Sequence, residues 1–65
     1  MRDELITKLQ NHNTLTEDEC FEVANDISRL LNSTEESLKQ NGRNFIIRLL
    51  DNWNNISESY RTIFI

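Results

Sequence analysis

Proline is absent and Gly42 is the only glycine, so the residues that most often punctuate a chain are missing and helix ends must be read from capping side chains. The single cysteine, Cys20, excludes an internal disulfide. With the single histidine, His12, it falls short of the Cys/His set of a structural zinc site. Strand patterning is missing too, and no apolar run approaches the roughly 18 residues needed to cross a bilayer. Arg2-Asp3-Glu4 follows Met1 directly, where a secretion signal would need an apolar stretch. The expectation is a cytoplasmic protein that binds no cofactor, no metal and no membrane.

What is present is amphipathic helix. Cys20, Val23, Ala24, Ile27, Leu30 and Leu31 recur at the spacing of one helical face, and Thr16-Glu17-Asp18-Glu19 precedes them as a helix start. Thr16 and Glu19 fit the capping box, in which the threonine oxygen accepts from the Glu19 amide while the glutamate reaches back to the amide of Thr16. Leu15, just outside, can staple onto Cys20. This helix is expected to end near Asn32.

A first helix is expected over about residues 2–11, with Met1, Leu5, Ile6 and Leu9 on one side. It leaves through Asn11-His12-Asn13-Thr14, where asparagine tolerates left-handed and turn conformations. A third helix opens at Ser33 or Thr34, with Ser33 and Glu36 as a second possible capping box, and runs to about Trp53. Its stripe is Leu38, Gly42, Phe45, Ile46, Leu49, Leu50 and Trp53. A glycine inside a helix costs about 1 kcal/mol relative to alanine, so its place on the stripe predicts a close helix crossing. The alternative is a break at Gln40-Asn41-Gly42 into two shorter helices. A short fourth helix is expected over about 58–64, capped by Ser57, with Ile56, Tyr60, Ile63 and Phe64 on one side. The fold class is therefore all-α, a small bundle of three amphipathic helices plus a short C-terminal helix, in a single domain over residues 1–65.

A chain of 65 residues buries only about 60% of the surface it exposes when unfolded, and area accounting for such small scaffolds lands near zero. A protein partner is therefore expected, either a second copy or the rest of a parent chain. Phe21 and Ile47 leave the stripes of their helices, and Tyr60, Ile63, Phe64 and Ile65 crowd one end with apolar surface. These six are the candidate interaction residues. Ile63-Phe64-Ile65 can fold back on the second and third helices, meet another subunit, or lead into further chain.

Charge and chemistry exclude other classes. Residues 1–38 hold nine acids against three bases, whereas residues 39–65 hold four bases against two acids. This asymmetry either steers a partner or serves the helix starts, where acids oppose the dipole. Lys39 and Arg43 share one flank and Arg48 lies nearly opposite, which is not the basic face that nucleic acid requires. Glu19, Glu22 and Asp26 line one flank without an EF-hand loop. His12 has no neighbouring nucleophile, and Cys20 sits among acids that oppose thiolate formation. No catalytic residue is expected. Ile27-Ser28-Arg29-Leu30-Leu31-Asn32 also echoes Ile46-Ile47-Arg48-Leu49-Leu50-Asp51 at an offset of nineteen residues, the mark either of a helical repeat or of two similar amphipathic faces.

Residues 19–32, Glu-Cys-Phe-Glu-Val-Ala-Asn-Asp-Ile-Ser-Arg-Leu-Leu-Asn, continuing through residues 45–53, Phe-Ile-Ile-Arg-Leu-Leu-Asp-Asn-Trp, resemble the helical N-terminal segment of large bacterial DEAD/DEAH-box helicase-like proteins. The resemblance extends over more than half of the chain and carries no diagnostic motif. No Gly-x-x-x-x-Gly-Lys-[Ser/Thr] occurs. It implies an accessory module that does not hydrolyse ATP by itself and whose apolar end leads into a further helix. The functional expectation is a non-catalytic interaction or assembly module. The alternatives are an accessory module of a helicase-like nucleic-acid-processing protein and a small acidic phage-like inhibitor.

Overall fold

In a computed structural model of the chain, residues 4–65 are described, and among them the elements are helical throughout. Helix α1 spans Glu4–Gln10, α2 Glu17–Leu31 and α3 Glu36–Asp51. A 3-10 turn over Trp53–Asn55 follows, then α4 over Glu58–Arg61, which runs into a second 3-10 turn over Thr62–Phe64. The expected positions of Met1 and of the start of the first helix lie outside the described residues.

Helix α2 begins as its residues dictate. Thr16 is extended, its side-chain oxygen accepts from the Glu19 amide at 3.2 Å, and the Glu19 carboxylate accepts from the Thr16 amide at 2.9 Å. Leu15 and Cys20, the two ends of the staple, are both buried in the core. The Glu19 carboxylate also accepts from Lys8 Nζ at 3.0 Å, which ties α1 to the start of α2. Such a tie is needed because a helix of seven residues is not stable alone. Ile6 and Leu9 are fully buried beneath it, each burial contributing roughly 1.5–3 kcal/mol. Gln10 accepts from Arg48 of α3 at 3.0 Å.

The exit from α1 departs from expectation. No asparagine takes the left-handed conformation; His12 does, with φ 64°. The Asn13 amide bonds to the Lys8 carbonyl and the His12 amide to the Leu9 carbonyl, both at 3.0 Å. This is the Schellman pattern, with histidine where glycine is usual. The conformation belongs to the position that closes both bonds, and that position falls on His12.

Helix α3 starts later than Ser33 or Thr34 and lacks the second capping box. The Ser33 hydroxyl accepts from the Glu35 amide two residues on, at 3.1 Å, so it tightens the turn between α2 and α3 instead of capping a helix. Glu36 pairs with Arg43 at 2.6 Å. The α2–α3 connection is four residues long, and the two helices form a hairpin. No break occurs at Gly42, which is buried inside continuous helix. A Cβ placed there would stand 3.0 Å from Leu30 Cβ and 3.1 Å from Leu31 Cδ2, so glycine allows the helices to meet closely, as its place on the stripe predicts.

The C-terminal end of α3 also differs from a single helix running to Trp53. Asn52 Nδ2 donates to the Arg48 carbonyl at 2.9 Å, closing the helix, and the chain then tightens into the 3-10 turn. Asn55 Nδ2 donates to the Leu9 carbonyl at 2.7 Å and pins that turn to the end of α1. Ser57 holds the N-cap position of α4 but makes no side-chain capping bond. The expected fourth helix is α-helical for only one turn. Two stripe assignments need correction: Leu31 and Leu50, expected to be buried, are 37% and 58% exposed.

Four substitutions test these contacts. Gly42→Ala gains helix propensity but forces Leu30 Cβ and Leu31 aside, and a net loss of about 1 kcal/mol is expected in urea unfolding; a gain would remove the close crossing. His12→Gly relieves a left-handed residue whose strain is about 1–2 kcal/mol, part of which the entropy of glycine takes back, so a rise in melting temperature is expected. The Thr16 backbone N–H, and after it the Lys8 ammonium, hold the Glu19 carboxyl below the usual carboxylate range. That stabilisation is complete above the unfolded glutamate pKa of about 4.3 and is lost as pH falls through the lower folded value. Thr16→Ala should cost about 1 kcal/mol, and Glu19→Gln should flatten the acid limb of the stability–pH curve.

Candidate functional site

The corrected leucines open on a groove. Residues of α2 form one wall with Ala24, Asn25, Ile27, Ser28 and Leu31, and residues of α3 form the other with Ile46, Leu49 and Leu50. The third side is Trp53 with Ile63, Phe64 and Ile65 of the C-terminal segment, and the groove encloses about 640 Å³. Among the described residues no charged side chain lines it. Asn25 and Ser28 are its only polar residues with uncharged hydrogen-bonding side chains apart from the Trp53 indole, so the lining suits apolar groups and offers no partner for an ionised one.

Local packing holds the third wall in place. Trp53 and Phe64 meet edge to face with ring centroids 6.0 Å apart, the arrangement that aromatic quadrupoles favour. The Arg61 guanidinium lies 6.0 Å from the Trp53 ring centre, and its Nε donates to the Ile56 carbonyl at 3.0 Å. Ile56 itself is buried. The C-terminal segment therefore folds back on the bundle as far as Phe64, whereas Ile65 is 94% exposed at the groove edge.

The six candidate interaction residues separate in space. Ile63, Phe64 and Ile65 are brought together on the groove. Tyr60 is half-buried against the core and is not part of the lining. Phe21, 49% exposed, lies three, four and seven residues before Ala24, Asn25 and Ser28, on the flank of α2 that borders the groove. Ile47, 56% exposed, stands three residues before Leu50 on the corresponding flank of α3. Among the described residues, exposed Leu31, Leu50 and Ile65 line the groove, and exposed Phe21 and Ile47 fall by helical spacing on its flanks.

Leu31, Leu50, Ala24 and Trp53 were assigned to the core by their stripe positions and so were missed as site residues. A signal was present in the doublets Leu30-Leu31 and Leu49-Leu50. Neighbouring helical residues diverge by about 100°, so the two side chains of a doublet are not covered equally. Leu30 and Leu49 turn inward while Leu31 and Leu50 turn out.

The residues weighed for chemistry are placed apart from the groove. Cys20 is fully buried, and burial pushes its thiol above the ordinary range, with Glu19 and then Glu17 adding to the rise. His12 is exposed in the loop after α1. Of the acids on the α2 flank, Glu19 holds Lys8 and Thr16, and Asp26 pairs with Arg29. Among the described residues no group of three or more His, Cys, Asp or Glu is placed to hold a metal ion. Arg43 is engaged by Glu36 and Gln40, and Arg48 bonds Gln10 and lies 5.4 Å from the Phe45 ring centre. Among the described residues no helix is long and apolar enough to cross a membrane.

No curated protein and no solved structure matches the chain. One family model does, over residues 1–65. The match covers the whole of α1 to α4 and the groove between them, and the chain belongs to the family described as the Anti-bacteriophage protein B N-terminal domain.

Proposed function

We propose that this domain is a non-catalytic protein-docking module of a larger anti-phage protein, and that the groove between α2, α3 and the C-terminal segment is its working surface. The observation that carries this reading is the gathering of exposed Leu31 and Leu50 on an uncharged groove, with Phe21 and Ile47 on its flanks. Contiguous exposed apolar surface on a small domain marks an interaction site. The family description supplies the setting, an N-terminal domain of a phage-defence protein.

The non-catalytic part of the reading is supported by where the reactive side chains lie. A nucleophile needs a base within hydrogen-bond reach and a third group to orient it, and the Cys20 thiol is buried among acids that disfavour its thiolate. A more specific form of the proposal makes the parent a helicase-like protein to which this domain is accessory. Its support is the resemblance of residues 19–32 and 45–53, and in that form nucleotide chemistry belongs to other parts of the parent.

The test is phage plaquing on cells that carry the full-length protein. Leu31→Asp with Leu50→Asp changes two exposed side chains, so helical content should persist by circular dichroism while protection falls toward that of undefended cells. His12→Ala and Cys20→Ala should each protect as well as the parent. Full protection by the double aspartate variant would remove the docking role, and loss of protection in either alanine variant with the fold intact would remove the non-catalytic one.

A further inference from the structure

We infer that the groove is covered by the same face of a second copy of this domain, turned end for end about a two-fold axis that crosses the groove. The inference rests on the docking reading above and goes further by naming the occupant and its orientation.

The sequence echo between residues 27–32 and 46–51 acquires a place in space. Gly42 of α3 stands beside Leu30 and Leu31 of α2. Four residues on from Gly42 is Ile46, and three or four residues back from that pair is Ile27, so the two isoleucines lie level on opposite walls of the hairpin. The walls run in opposite directions from there. Exposed Leu31, four residues after Ile27, lies toward one end of the groove, and exposed Leu50, four residues after Ile46, lies toward the other. The groove face thus carries its two exposed leucines on one diagonal. A second copy of that face, applied about a two-fold axis, brings its own pair to the other diagonal, which is the self-complementarity that an isologous contact requires. Two hairpins joined in this way form a four-helix core from α2 and α3 of each copy.

Charge at the two ends of the groove selects the orientation. Glu17 precedes Phe21, Ala24 and Ser28 by four, seven and eleven residues, so its exposed carboxylate falls on the groove side where the α2 wall begins. Lys39 precedes Ile46 and Leu50 by seven and eleven residues and falls on the groove side where the α3 wall begins, at the opposite end. Neither side chain enters an ion pair among the described residues. Arg43, one turn inward from Lys39, is offset by Glu36, with which it pairs, and Glu35 lies one turn farther out. A copy turned end for end brings its Lys39 to the end that holds Glu17, at both ends of the contact. A copy laid in the same direction would set Glu17 beside the partner's Glu17. Complementary charge of this kind fixes register and direction, while the leucines and isoleucines supply the buried apolar surface.

The experiment is photocrosslinking in the full-length protein, with a benzophenone amino acid in place of Leu50 and an equal mixture of unlabelled and isotope-labelled molecules, mapped by mass spectrometry. The expected crosslink joins a light to a heavy molecule within residues 17–53 of the second copy, and its yield falls on dilution. Glu17→Lys alone and Lys39→Glu alone should each lose it with helical content retained by circular dichroism. Mixing the two variants should restore it, because each copy then offers the other opposite charge at both ends, and that return also shows that both variants fold. Crosslinks confined to one molecule, to another part of the parent or to another protein would overturn the inference. So would a yield unchanged by either reversal, or a mixture that fails to recover. If the aspartate variants lose protection in any of these cases, the docking reading stands and only the occupant is wrong.

Discussion

The contact between Gly42 and the end of α2 is the constraint on which the rest depends. A Cβ on α3 at this point would stand 3.0 Å from Leu30 Cβ and 3.1 Å from Leu31 Cδ2, closer than ordinary packing allows, so the absence of one sets how the α2–α3 hairpin closes. Its inner side is then filled by Val23, Ile27 and Leu49 together with Ile6 and Leu9 from α1. The other side receives only the short C-terminal segment. A hairpin covered by α1 on one side and by a few residues on the other leaves apolar surface open, and that surface is the groove.

Polar side chains bonded to backbone carbonyls finish what the small core cannot. Asn52, Asn55 and Arg61 donate to Arg48, Leu9 and Ile56 respectively. Each bonds a carbonyl at a helix or turn end, Asn55 adding to the bond that the Leu9 carbonyl already accepts from the His12 amide, and each ties a segment of the C-terminal half to its surroundings. The asparagines therefore do the work that glycine and proline would do in another chain. They end elements by bonding, where those residues would end them by conformation. The electrostatic counterpart lies at the opposite end, where Glu19 joins the cap of α2 to Lys8 of α1.

The legible parts of the fold were those governed by local rules. The Thr16–Glu19 box, the Leu15 staple and the α2 stripe are determined within one or two turns; the structure has the box, places Leu15 and Cys20 together in the core, and buries the stripe at Cys20, Val23 and Ile27 but not at Leu31. Gly42 could be placed at a crossing because a glycine on an apolar stripe is destabilising unless something approaches it. Less legible was whatever depended on competition between neighbours: Ser33 bonding Glu35 instead of capping α3, His12 taking the left-handed position between two asparagines, and α4 tightening into a 3-10 turn. The groove was half visible. Phe21, Ile47 and the apolar end stood out because they left their stripes. Leu31 and Leu50 did not, since periodicity gives a direction around a helix axis and says nothing of whether another element lies there.

The central claim, that α2 and α3 meet at Gly42 and so leave Leu31 and Leu50 at the mouth of a groove, is tested most directly by nuclear Overhauser effects in solution. The account predicts strong cross-peaks between the Gly42 α-protons and the Leu31 methyl protons, and none linking the Leu31 methyls to side chains of α1. Absence of the Gly42–Leu31 cross-peaks, or Leu31 methyls in contact with Ile6 or Leu9, would contradict it.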